Sequence, residues 1–102
     1  MYSITLNNKK KIPILGLGTW RLSGKVTNIV VKKALQLGYA HIDTAEMYEN
    51  EKEIGDAIKG VDREKLFITS KVWYENLSYQ DVITACHKSI KKLGVDYLDL
   101  YL

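Results

Sequence analysis

A single cysteine stands among 102 residues, so no disulfide within the chain can staple it. The start of the chain also lacks a charged stretch followed by a continuous apolar one, the pattern of a secretory signal. The expected setting is therefore reducing and cytoplasmic. Asn76-Leu77-Ser78 matches the glycosylation sequon, but without secretion that match carries no meaning. No apolar run approaches the ~20 residues that a membrane span needs. Fifteen lysines and arginines face twelve acidic residues, and the cations are scattered rather than gathered on one face. Their one run, Lys9 to Lys11, sits beside Asn7-Asn8 and reads as a solvated hairpin face, so no nucleic-acid partner is expected. No pair of side chains has metal-ligand spacing. The stretch GLGTW at 16 to 20 lacks the third glycine of a dinucleotide fingerprint, because position 21 is Arg21.

What is present suits one globular domain spanning 1–102, with 46% hydrophobic and 26% charged residues. SITLNNKKKIPIL reads as two short strands around Asn7-Asn8, a pair that tolerates the positive backbone angles of a tight turn. Apolar segments at 14–18, 39–43, 66–72 and 97–102 read as buried strands. Between them lie three helical patterns. Val26, Ile29, Val30, Ala34 and Leu37 recur at three and four, with Gly38 as a stop; 50–59 stops at Gly60; and Ser78 caps a third helix that runs to Gly94. Strand ends near Thr19, Asp43 and Lys71 fall 24 and 28 residues apart in this sequence, close to the length of a βαβ unit. A parallel sheet follows, either open or part of a barrel. A complete eightfold barrel takes ~250 residues, so this chain could supply about half of one.

Function in either architecture gathers where parallel strands end. Asp43 and Lys71 are charges at such ends, and each needs a partner if it is not to be stranded away from water. They are the obvious pair. Tyr48 follows in the turn after Asp43, and a positive Lys71 beside its hydroxyl would make that hydroxyl a readier proton donor to a carbonyl oxygen. The plainer alternative is a structural ion pair with an unrelated surface tyrosine. Trp20 and Trp73 each follow a candidate residue and could form an aromatic mouth for a small substrate, or simply pack. His41 shares Asp43's side of its strand and is expected to be a hydrogen-bonded core histidine. His87 lies too far from the rim to serve, and Cys86 falls at an apolar helical position.

GLGTW at 16–20, GYAHIDTAEMYENEKEIG at 38–55, FITSKVW at 67–73 and KSIKKLGVDYLDLYL at 88–102 together resemble the N-terminal part of an aldo-keto reductase. The resemblance implies an α/β fold, the N-terminal half or so of a (β/α)8 TIM barrel capped by a β-hairpin. It also implies hydride transfer from NADPH to an aldehyde or ketone. Residue by residue, Tyr48 is similar to the family's proton donor, Lys71 to the residue that tunes it, and Asp43 to the partner that orients Lys71. Gly18, Thr19 and Trp20 match positions near the nicotinamide, with Asp43 beside them. Trp20, Tyr48 and Trp73 match substrate contacts. Ala40 stands where many members have arginine.

The family's fourth catalytic residue, a histidine just past the fourth strand, lies beyond Leu102, as do its cofactor phosphate sites. The expectation is thus a reductase fragment with little or no activity alone, prone to self-association through its open half-barrel edges. Two other functions remain open at this point. One is a non-catalytic binding or regulatory half-barrel that keeps the scaffold. The other makes Lys71 the Schiff-base lysine of a barrel aldolase, against which Asp43 argues by keeping that lysine protonated.

Overall fold

The computed structural model describes residues 2–102. It opens with an antiparallel hairpin, β1 (Ser3–Thr5) and β2 (Lys11–Pro13), in which Ile4 lies opposite Ile12. The turn is closed by Lys9 N donating to Leu6 O at 2.9 Å and Leu6 N donating to Lys10 O at 2.8 Å. Among the non-glycine residues of this turn, the positive φ of 68° falls on Lys9 rather than on the asparagine pair. Asn8 serves instead through its side chain, which accepts a hydrogen bond from Lys10 N. A three-residue loop with its last residue left-handed is a common hairpin solution.

The body is a four-stranded parallel sheet in simple order: β3 (Gly16–Gly18), β4 (His41–Asp43), β5 (Phe67–Ser70) and β6 (Leu100–Tyr101). Its strands are shorter than the apolar segments of the sequence, because the segment ends turn outward into loops. Register aligns Gly18 with Asp43 and Asp43 with Thr69, so the carboxyl ends of the strands finish level with one another. Between the strands run α1 (Gly24–Gln36), α2 (Glu51–Ile58) and α3 (Tyr79–Leu93).

Each helix starts and stops for local reasons. Ser78 Oγ accepts from Asp81 N at the head of α3, and Gly94 leaves it at a φ of 66°. At the end of α1, Gly38 takes a φ of 95°, which lets Tyr39 N reach back to Ala34 O at 3.0 Å. The core lies between helices and sheet: Ile42 and Ile68 from the strands meet Val31, Ile54, Ala57, Ile58 and Leu93. Strand side chains alternate, so His41 and Asp43 point to the other face.

The buried stripe of α1 differs from the one expected. Thr27, Val31 and Ala34 are buried, whereas Val26 and Ile29 are 56% and 65% exposed and Leu37 is exposed as well. The apolar arc is wider than the contact with this sheet, and the buried threonine hides the true phase from a hydrophobic count. No described helix is long and apolar enough to cross a membrane.

Candidate active site

Asp43 is the last residue of β4, and Lys71 follows β5 directly. Because those strands are neighbours in register, the two side chains rise from adjacent positions on one rim. Lys71 Nζ donates to Asp43 Oδ2 at 2.8 Å. It also donates to Thr44 O at 3.0 Å and reaches Tyr48 OH at 3.5 Å. An ammonium has three hydrogens, and here each is directed at a different oxygen. The side chains of Lys71 and Asp43 are about one-third exposed, at 30% and 33%, so the pair is neither sealed in the core nor free in water.

Tyr48 closes a short 3-10 turn, Glu46–Tyr48. Its ring stands with the Lys71 ammonium 5.1 Å from the centroid. Since Lys71 offers a hydrogen to the phenolic oxygen, the phenol's own hydrogen is left free for another acceptor. That is the geometry a proton donor needs.

Thr19 sits just beyond β3, fully buried, and its Oγ1 donates to Asp43 O at 2.9 Å while its N donates to the same oxygen at 3.1 Å. Trp20 follows it, 59% exposed, with the Arg21 guanidinium 4.6 Å from its ring centroid. Gly18 opens onto free space, since a Cβ built there would meet no atom within 4 Å. Trp73 lies two residues past Lys71, half-buried and stacked on Tyr74 at 5.4 Å.

Lys71 thus touches both Asp43 and Tyr48, Thr19 is tied to Asp43, and both tryptophans stand on the loops that lead away from them. The site is an open rim. The groove of about 770 Å³ between the C-terminal ends of α2 and α3 touches none of these residues.

Two residues that sequence reasoning passed over hold the rim together. Asn50, fully buried, accepts from Thr44 Oγ1 at 2.7 Å and donates to Thr19 O at 2.8 Å and Leu22 O at 3.1 Å. It clamps the loop that carries Trp20 to the loop that carries Tyr48. Its place just before α2 marks it as a helix cap, but it makes no side-chain cap bond, which is why the sequence disguises its role. Glu46 does the same on the other side: its carboxylate accepts from Trp73 N at 2.8 Å and from Asn76 Nδ2 at 2.7 Å.

His41 lies below this rim, with Nε2 2.9 Å from Thr69 Oγ1 and its ring edge-on to Phe67. Burial holds its imidazole below the usual range, against the opposing pull of Asp43. Cys86 is half-buried on α3, its thiol pushed up by burial and then by Glu51.

The profile of the Aldo/keto reductase family matches residues 14–102. An aldo-keto reductase from Mycolicibacterium smegmatis is 48% identical over 101 residues, covering 97% of this chain and 37% of the relative. The methylglyoxal reductase DkgB of Yersinia pestis is 50% identical over 93 residues, covering 89% of this chain and 35% of the relative. An aldo/keto reductase crystal structure from Brucella melitensis superposes with a TM-score of 0.95 at 43% identity, over 99% of this chain and 39% of that one. The chain spans little more than a third of the length of these relatives. Family profile, sequence relatives and barrel structures agree over nearly all of it, and the four parallel strands are part of a (β/α)8 barrel: the chain belongs to the aldo/keto reductase family.

Proposed function

We propose that these residues supply the proton-transfer side of a carbonyl reductase, which converts a small aldehyde or ketone to the alcohol with NADPH as reductant. The observation that carries this reading is the three-way engagement of Lys71 with Asp43, Thr44 and Tyr48. Asp43 holds the Lys71 ammonium in place. Lys71 in turn stabilises the negative charge that Tyr48 acquires when its proton leaves. The proton goes from the Tyr48 hydroxyl to the carbonyl oxygen, and hydride addition to the carbonyl carbon completes the alcohol.

When bound, NADPH supplies that hydride. Gly18, Thr19, Trp20 and Asp43 would hold its nicotinamide end, since the bare backbone at Gly18 leaves room for a flat ring to approach the strand end. Trp20 and Trp73, with Tyr48, form the substrate's walls. The single cysteine, Cys86, which is free, suits a reducing compartment such as the cytoplasm.

The methylglyoxal reductase among the relatives suggests small dicarbonyls as first substrates to try. The test is NADPH oxidation and alcohol formation by the natural gene product, offered methylglyoxal and an aromatic aldehyde. Turnover of either supports the reading. Binding of a carbonyl compound without turnover would mark the chain as a binding module on a reductase scaffold. The 102 residues alone are expected to show negligible turnover, and a clear steady-state rate from them would contradict the view that a whole barrel is needed.

A further inference from the structure

Glu46 lies in the Tyr48 turn, and its side chain grips the backbone and the far end of the neighbouring loop. Three contacts leave it in that direction. Its N–H donates to Lys71 O at 3.0 Å, one carboxylate oxygen accepts from Trp73 N at 2.8 Å, and the other accepts from Asn76 Nδ2 at 2.7 Å. Within the turn, Glu46 O accepts from Glu49 N at 3.3 Å, so the residue is fixed at both ends. The segment it grips, 71–76, starts with the lysine of the ion pair and carries the aromatic ring of Trp73.

Trp73 has few other anchors. Its Nε1 is buried without a hydrogen-bond partner, and its ring rests on Tyr74, which is itself exposed. Its N–H is held by Glu46 alone, while its carbonyl oxygen accepts from Asn76 N at 2.9 Å within the loop. Two hydrogen bonds from one side chain, to Trp73 N and to Asn76 Nδ2, fix direction as well as distance. A wall set by one side chain can be moved by changing that side chain.

We propose that Glu46 is a positioning residue that sets where Trp73 stands relative to Tyr48, and so determines which carbonyl substrates the rim accepts. The proposal rests on the reductase reading above. It concerns the hydrogen bonds of Glu46 and not its charge. A glutamine at this position can keep both bonds, with its oxygen accepting from Trp73 N and its amide donating to Asn76 once the Asn76 amide turns over. An alanine keeps neither.

The test compares Glu46→Ala and Glu46→Gln in the natural gene product, with an aromatic aldehyde that must lie against Trp73 and with methylglyoxal, which is too small to need it. Glu46→Ala should raise KM for the aromatic aldehyde about tenfold with kcat little changed, and leave methylglyoxal kinetics near those of the parent. Glu46→Gln should behave as the parent with both. Should Glu46→Ala fail to fold, Asn76→Ala, which removes one of the two bonds, should show the same split to a smaller degree.

Equal losses for both aldehydes would indicate a merely structural role and overturn the proposal. So would a Glu46→Gln variant as impaired as Glu46→Ala, since the charge would then be what matters. If the protein turns over no aldehyde at all, the reductase reading fails, and exchange of the Trp73 amide hydrogen still decides the positioning claim. That exchange should quicken at least about tenfold in Glu46→Ala and not in Glu46→Gln; an unchanged rate in Glu46→Ala would sink it.

Discussion

A lysine ammonium directed at three oxygens is poorly placed to act as a nucleophile, because its lone pair exists only once a proton has left. On the reading proposed above, Lys71, held by Asp43 and Thr44 O, acts through its charge rather than as an attacking group, and its three hydrogen bonds count against the aldolase alternative. Borohydride treatment with a carbonyl substrate should leave Lys71 unmodified, as judged by peptide mass; a reduced adduct on Lys71 would reinstate that alternative. Replacing Lys71 by Met should lower kcat/KM of the natural gene product at least about a hundredfold, since proton donation by Tyr48 would lose its stabilising charge. His41 gives a separate prediction for stability. Burial lowers its folded-state pKa from 6.5, so the unfolded chain binds the proton more readily. The stabilisation from neutral His41 is full above pH 6.5 and is lost as pH falls below it. Urea titrations of the parent should show this decline, and His41→Asn should remove that part of the slope. The pairing of Asp43 with Lys71 was legible in the sequence because charges at strand ends are costly unless paired, and the nearness of Tyr48 to Lys71 from its place in the turn after Asp43. Asn50 and Glu46 were not, because a polar residue beside a helix start has an ordinary capping explanation.

The elements themselves are placed by close approaches that sequence patterns record only in part. Gly55 lies in α2 where that helix meets the end of α3, and a Cβ there would stand 2.7 Å from Lys92 O and 2.8 Å from Leu93 O. Both obstacles are backbone, so they cannot swing aside. Gly55→Ala should destabilise the fold by about 1–3 kcal/mol, read from the urea midpoint; a variant as stable as the parent would mean that α2 and α3 are freer to separate than they look. Such a glycine reads in the sequence as a weak point in a short helix, with nothing to reveal the neighbour that requires it. The strand and helix order was readable from period and stop signals: Gly38, Gly60 and Gly94 all end helical runs at positive φ. The phase of α1 was not. Its apolar positions outnumber those that this sheet can cover, so the count favoured Val26 and Ile29 where the structure buries Thr27 and Val31.

At the scale of the whole molecule, four parallel strands with helices on one face leave two edges unpaired and the inner face only partly covered, with Phe67 and Thr69 buried on it but β3 largely exposed. β3 and β6 each pair with one neighbour, Ile14 and Leu15 are exposed just before β3 and Leu102 just after β6, and Val26 and Ile29 are exposed on α1. Open edges and apolar patches of this kind favour association. The 102 residues alone should therefore sediment as species heavier than 11.7 kDa, and a monodisperse monomer at micromolar concentration would contradict that expectation. The barrel as a class was readable from strand-to-strand spacing only down to a choice between an open sheet and a barrel; closure is a property of strands that this chain does not contain. The resemblance of its motifs made the choice, and the superposition on barrel structures bears it out.

The central claim is that Tyr48 gives the proton while Lys71 and Asp43 make it able to. The most direct test is a Tyr48→Phe variant of the natural gene product, assayed for aldehyde reduction alongside NADPH binding by fluorescence. Removal of one hydroxyl should lower kcat by about 10²- to 10⁴-fold with NADPH affinity unchanged. A Tyr48→Phe variant that reduces aldehydes at the parent rate would show that the proton comes from elsewhere and would contradict the account at its centre.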